Sequence, residues 1–335
     1  MKIGAFLFAL TLTGATLGAQ PTAAQAESSS APSSAAIAAY SRAPHEEPAG
    51  GCAEHDPADI ITPHITDSHC IEYPGFPKFW EPREYELPHW KPIHVGGAEI
   101  DLSPTKHVVM LIVAALLCCV VLITAARKHA LHSKKTGSPR GFAAGIEAMV
   151  LYIRNEVAIP NLGHHGEKYA PFILTLFFFI LFANLLGLIP FGSTATGNVS
   201  VTATLAIVTF LVVETAGIRA QGLGYLSTIF YWNKDLPLAM RIPMFFIMTP
   251  VEIIGKFTKP FALTIRLFAN MTAGHIVVLA LIGLIFAFHS YTLGLAPLLM
   301  AVAIMMLELF VAFLQAFIFS LLASVFIGQI REAHH

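Results

Sequence analysis

Residues 244–288 read MFFIMTPVEIIGKFTKPFALTIRLFANMTAGHIVVLALIGLIFAF. The run is long and mostly apolar, yet it carries Glu252, Lys256, Lys259, Arg266, Asn270 and His275. An ionisable side chain inside a hydrocarbon-length segment costs about 2.5–3.5 kcal/mol on insertion scales, so each such residue is a functional suspect. Steps of four, three, four, three and four residues lead from Glu252 through Lys256, Lys259, Leu263 and Arg266 to Asn270. That spacing places them in a single stripe on one face of a helix. His275 follows Arg266 by nine residues, two and a half turns, and points to the opposite side. A fixed cation in a polar stripe, with a titratable group behind it, reads as the core of an ion pathway.

As one straight helix this run would measure about 67 Å at 1.5 Å per residue, against about 30 Å of hydrocarbon. It must break or lie strongly tilted, and Pro250 and Pro260 are the natural break or kink points. A slanted helix lets a long polar stripe face a partner rather than lipid. The last apolar run, residues 295–330, is also over-long, and it carries Glu308 and Gln315 seven residues apart on one face.

The rest of the chain agrees with a membrane setting. Of its 335 residues, 55% are hydrophobic and 12% charged, whereas soluble domains average about 25% charged. The net charge of −1 offers no basic surface, which excludes nucleic acid as a partner. Several runs of about 20 apolar residues define an all-α polytopic membrane protein lying in a lipid bilayer. Its expected architecture is about five membrane helices plus an interfacial amphipathic helix, with the last two membrane helices long and strongly tilted.

Three segments are expected. Residues 1–26 pair one Lys with a short apolar core and the small-x-small ending Ala24-Gln25-Ala26, the pattern of a cleavable signal peptide. Residues 27–106 then form an extracytoplasmic N-terminal segment, beginning with a Ser/Ala/Pro-rich linker. In an oxidising compartment Cys52 and Cys70 are a candidate disulfide pair. His64, Asp67 and His69 match no strong metal-ligand spacing and read as a solvated loop. Residues 107–335 form the membrane domain.

The first membrane helix, residues 107–126, ends in Arg127, Lys128, Lys134, Lys135 and Arg140. This basic cluster marks the cytoplasmic side. Cys118 and Cys119 within that helix read as packing residues. Residues 142–157 suit a helix in the cytoplasmic interface, with Glu147, Arg154 and Glu156 on its polar side. Residues 171–189 cross outward and residues 198–218 return. Glu214, near the inner end of the returning helix, either reaches the interface or lines an inner cavity; we expect the interface. The chain ends in the cytoplasm.

Spacing also links the last two helices. If they are antiparallel with Arg266 level with Gln315, His275 lies about 13.5 Å outward and Glu308 about 10.5 Å outward. Two titratable groups at one depth suit a proton relay. A guanidinium keeps its proton and so blocks proton passage while attracting a carboxylate.

Residues 252–275, EIIGKFTKPFALTIRLFANMTAGH, closely resemble the signature of subunit a of the F-type ATP synthase. So do NLLGLIP from Asn184, NVSVTATLA from Asn198 and LQAFIFSLL from Leu314. The likeness runs from about Lys134 to the end. It implies a non-catalytic, proton-translocating membrane stator in the bacterial inner membrane. Its partners would be a ring of subunit c, the peripheral-stalk subunit b and the remaining ATP synthase complex. By the same resemblance, Arg266 faces the ring carboxylates, with Asn270 and Gln315 in support. His275 and Glu308 are the external half-channel pair, in swapped order relative to some members, and Glu252 is the acid of the cytoplasmic side. No cofactor is implied, and no nucleotide motif is present in the chain. The competing reading is an ion-coupled secondary transporter whose intramembrane Arg binds an anionic substrate. Such proteins often carry internal repeats, and none is visible here. A purely structural membrane anchor fits poorly with intramembrane Arg, His and Glu.

Overall fold

The computed structural model describes residues 67–74, 82–90, 93–95, 98–100, 103–133, 141–163, 166–189, 194–225, 238–288 and 291–332. The expected signal peptide and Cys52 lie outside these residues.

The described part of the N-terminal segment is a small β structure. Strands β1 (Cys70–Pro74) and β2 (Pro82–Glu86) pair antiparallel, as do β3 (Ile93–Val95) and β4 (Ala98–Ile100). The remainder is helical: α1 (Lys106–Ser133), α2 (Phe142–Tyr152), α3 (Ile159–Leu162), α4 (Ala170–Gly187), α5 (Val199–Gln221), α6 (Leu238–Phe288) and α7 (Tyr291–Glu332). Among the described residues, five helices are long and apolar enough to cross a membrane, namely α1, α4, α5, α6 and α7. The membrane part of the chain is therefore all-α and polytopic, as expected, while the segment before α1 adds two antiparallel strand pairs.

Helix α6 is continuous over 51 residues despite Pro243, Pro250 and Pro260. Of the two options the sequence left open, breaking or tilting, the break is thus absent. Each proline removes one backbone donor, but neighbouring helices hold the rod together. Helix α7 runs unbroken for 42 residues. Both helices start earlier than expected, and α1 extends seven residues further.

The expected interfacial helix is α2, which continues as a π-helical turn (Ile153–Ala158) and then α3. Its apolar side meets protein: Ile153, Val157 and Ala158 are fully buried in the main core. Pro160 lies just past the π turn, where its missing N–H suits a widened ladder. Asn161 Nδ2 donates to the Val157 carbonyl at 2.7 Å. Arg331 Nη1, from the end of α7, donates to the Leu162 carbonyl at 2.8 Å. Gly328 of α7 presses so closely on the Asn161 carbonyl that a Cβ there would collide with backbone.

The core is built on α4. Of its apolar stretch, 61% is buried, against 17% for α6 and 22% for α7. Phe172, Ile173, Phe177, Phe178 and Ile180 of α4 pack with Leu205 of α5, Leu267 of α6 and Phe319 of α7. The two longest helices therefore lie at the edge of the bundle with one side uncovered. That side shows Phe246, Ile254, Phe257 and Phe261 of α6 and Leu299, Met306 and Phe310 of α7.

Candidate ion pathway

The polar stripe on α6 is split by packing. At 100° per residue, the buried positions Leu263, Leu267, Met271 and Val278 define the packed face. Arg266 lies on one flank of that face and His275 on the other. Both are half-buried, whereas Glu252, Lys259 and Asn270 are exposed. The stripe thus borders the covered and uncovered sides of the helix.

The contact between α6 and α7 at Gly274 is tight. A Cβ on Gly274 would come within 2.8 Å of Glu308 Cγ and 2.9 Å of its carboxyl carbon. Only glycine lets the carboxyl group lie against the α6 backbone, one residue before His275. Glu308 and Gln315 are both buried. Counting eight residues along each antiparallel helix from the Gly274–Glu308 contact reaches Arg266 and Ala316. Arg266 therefore comes level with the neighbour of Gln315, and His275 with Glu308.

Around this contact lies a polar network that periodicity alone did not reveal. Asn184 is fully buried in α4; its Nδ2 donates to the Ala312 carbonyl at 3.4 Å. Its Oδ1 accepts from Thr196 Oγ1 at 2.8 Å. Thr196 belongs to a 3₁₀ turn (Ala195–Gly197) just before α5. On the other side of α6, Thr272 Oγ1 donates to the Gly197 carbonyl at 3.4 Å. His275 sits between this contact and the Glu308 contact around the helix, and its Nε2 is a buried atom. NLLGLIP and NVSVTATLA were noted as motifs, but nothing in their spacing joins Asn184 to Thr196.

The segment before α1 is fastened over the same end. Asp67 Oδ1 accepts from His107 Nδ1, at the start of α1, at 2.7 Å. Asp67 Oδ2 accepts from Asn198 Nδ2 at 3.3 Å. Asn198 caps α5 as well, its Oδ1 accepting from Ser200 N at 2.8 Å. Burial alone would raise the Asp67 carboxyl, but the hydrogen bond from His107 and the attraction of its ring outweigh it and lower its pKa below 3.8. His69 Nδ1 lies 3.2 Å from the Pro104 carbonyl. Asp67 and His69 thus belong to this fastening, and no cluster of three or more metal-ligating residues occurs among the described residues. His64 lies outside them. Cys70 is disulfide-bonded, whereas Cys118 and Cys119 are free.

At the opposite end, a cavity of about 230 Å³ opens between α5, α6 and α7. Glu214, Glu252, Lys256 and Lys259 line it, with Gln329 from α7. It reaches Leu263, one turn short of Arg266. Glu214 therefore faces a cavity and not merely the interface, contrary to expectation. Lys256 Nζ lies 3.4 Å from Glu214 Oε1, and Tyr225 bridges the pair, donating to Glu214 and accepting from Lys256. The partners are 42 residues apart in sequence, beyond the reach of helical spacing.

These observations define a class: a multi-pass α-helical membrane protein with a mid-span arginine, polar groups buried on one side of it and a charged cavity on the other. The comparisons make the class specific. The model of the family "ATP synthase A chain" matches residues 107–328. ATP synthase subunit a of Anaeromyxobacter dehalogenans (strain 2CP-C) is 44% identical over 311 residues, covering 91% of this chain and 78% of the relative. ATP synthase subunit a 2 of Chlorobaculum tepidum is 44% identical over 295 residues, covering 87% and 78%. ATP synthase subunit a of Chloroherpeton thalassium is 46% identical over 277 residues, covering 82% and 78%. The chain belongs to the ATP synthase A chain family.

Proposed function

We propose that this chain forms two offset proton half-paths beside a ring of subunit c, separated electrically by Arg266. Family membership makes it the non-catalytic, proton-translocating stator subunit of an ATP synthase, working with the ring, subunit b and the rest of the complex. The observation that carries the two-path reading is the asymmetry about Arg266. Glu308 and His275 lie at one depth on one side, and the cavity with Glu252 lies on the other.

Chemically, the parts divide the work. A proton enters past His275 and Glu308 and neutralises a ring carboxylate, which can then turn into lipid, where a charged group would be too costly. After nearly a full turn the site meets the inner path and releases its proton towards Glu252. The new anion is drawn to the guanidinium, which cannot carry the proton onward. Gln315, buried one position from the level of Arg266, and Asn270, exposed one turn beyond it, support the same surface. The membrane potential contributes about 2.3 kcal/mol per charge per 100 mV. The uncovered apolar side of α6 and α7 suits contact with ring and lipid, and tilting both helices fits their length to the bilayer.

In this arrangement the segment before α1 is extracytoplasmic, follows a cleaved signal peptide and is closed by a Cys52–Cys70 disulfide. The C-terminus is cytoplasmic, and the membrane is the bacterial inner membrane. Affinity purification from mild detergent tests the assembly: the chain should bring down a ring of small hydrophobic subunits and a soluble ATPase. Recovery of the chain alone, with substrate-specific uptake in vesicles, would favour a secondary transporter. ATP-driven acidification measured with and without Na⁺ identifies the coupling ion, and acidification without Na⁺ is the expected result.

A further inference from the structure

The inner cavity holds more charge than a proton exit path requires. Lys256 and Lys259 place two ammonium groups on its α6 wall, beside Glu252. The lining residues from α7 are Phe326, Gln329 and Ile330, none of them charged. Among the lining residues, Glu214 is the one ionic group from outside α6.

Glu214 is held where it can act on Lys256. The Lys256 side chain is 11% exposed and that of Glu214 19%, so water screens their interaction weakly. Tyr225 fixes the pair from the third side. Its hydroxyl touches both groups, and Lys256 Nζ lies 4.2 Å from the centre of its ring. Burial and then the hydrogen bond to Glu214 raise the Tyr225 pKa, so the phenol stays a donor. Gly217 makes room for that ring, since a Cβ there would come within 2.8 Å of Tyr225. Lys259 is exposed and lies 4.9 Å from the centre of the Phe326 ring, away from this cluster.

We propose that Glu214 is an electrostatic positioning residue of the inner path, cancelling the Lys256 charge so that protons can cross the cavity; this rests on the two-path reading above. With Glu214 ionised, the four charged lining groups sum to zero. Without it the cavity carries one net positive charge, centred on Lys256, ten residues or about three turns from Arg266. A proton crossing the cavity, to or from the ring, would then face an added repulsion on the route the cavity offers it. Across several ångströms of weakly screened space, this slows passage about tenfold or more.

The test uses the whole ATP synthase in inverted membrane vesicles, measuring the initial rate of ATP-driven acidification per assembled complex. Glu214→Gln should pump about tenfold more slowly. Lys256→Gln should retain more than half the rate, and the double variant should recover to a similar level. A plain structural tether predicts a different pattern, because either single change breaks the same pair and should harm pumping equally. Equal losses in both single variants, or a double variant no faster than Glu214→Gln, would overturn the proposal. Should Glu214→Gln fail to assemble, the double variant and Lys256→Gln decide, since neither leaves a buried cation unpaired. Both must then exceed half the wild-type rate, and a fall of either to about a tenth rejects the proposal. Arg266→Ala, run alongside, reports separately on the two-path reading, because normal pumping in that variant would remove the path itself.

Discussion

In the proposed mechanism, Arg266 and the Gly274–Glu308 contact set the chemistry at the scale of single residues. Arg266 is half-buried at the border of the packed face, so its charge remains available to a partner's carboxylate. Glu308 is buried against Gly274, with His275 the next residue on α6. If these two groups act as a relay, their order matters less than their presence. A His275→Glu/Glu308→His exchange should therefore retain more ATP-driven pumping than either His275→Ala or Glu308→Ala. An exchange no better than the single losses would separate the pair. Gly274 offers a sharper steric test. Gly274→Val must displace the Glu308 carboxyl, so pumping should fall at least tenfold while the complex still assembles. Unchanged pumping would mean that Glu308 moves aside without consequence. Both residues were legible in the sequence, because a charge in a hydrocarbon-length run stands out and helical spacing fixes its side. The glycine contact was not, since no periodic signal marks an absent side chain.

Among the elements, α6 and α7 are long rods with one side uncovered. One close joint is at the far end of α7, where Gly328 abuts the Asn161 carbonyl and Arg331 reaches the Leu162 carbonyl. Gly328→Leu should push α7 from the π turn and α3. We expect the assembled subunit in membranes to fall several-fold, read by quantitative immunoblot against the ring subunit. Wild-type abundance would show the joint to be dispensable. Most of the helical plan could be read from apolar runs and the basic cluster after α1. What could not was how they join. Asn184 with Thr196, Glu214 with Lys256 and Arg331 with Leu162 are each set by tertiary packing, with no repeat in the sequence to announce them. The same blindness explains the expectation for Glu214: its position near a helix end was visible, but the cavity facing it was not. The continuity of α6 follows similar logic, because three prolines weaken an isolated helix more than one packed against α5 and α7.

For the whole molecule, the segment before α1 and the membrane helices meet through Asp67. Its pKa is lowered in the folded state below the ordinary 3.8. The sign is that of a paired carboxylate: the clamp contributes fully above pH 3.8 and is lost as pH falls through the lower folded value. Amide exchange over residues 68–74 and 82–88, corrected for intrinsic rates, should show protection at about pH 6 that weakens towards about pH 2.5. Asp67→Asn should already show weakened protection at about pH 6. Protection unchanged by either acid or the substitution would detach Asp67 from the docking of this segment. The clamp closes on Asn198, next to the Gly197 carbonyl that holds Thr272. The segment before α1 is thus joined to the polar network of Asn184, Thr196 and Thr272 by consecutive contacts.

The central claim concerns the arginine between the two half-paths, and Arg266→Ala tests it most directly. In inverted vesicles containing the assembled complex, ATP addition should acidify the wild-type lumen and leave the Arg266→Ala lumen unchanged, with complex abundance equal in both. Acidification of the Arg266→Ala vesicles at the wild-type rate would contradict the account.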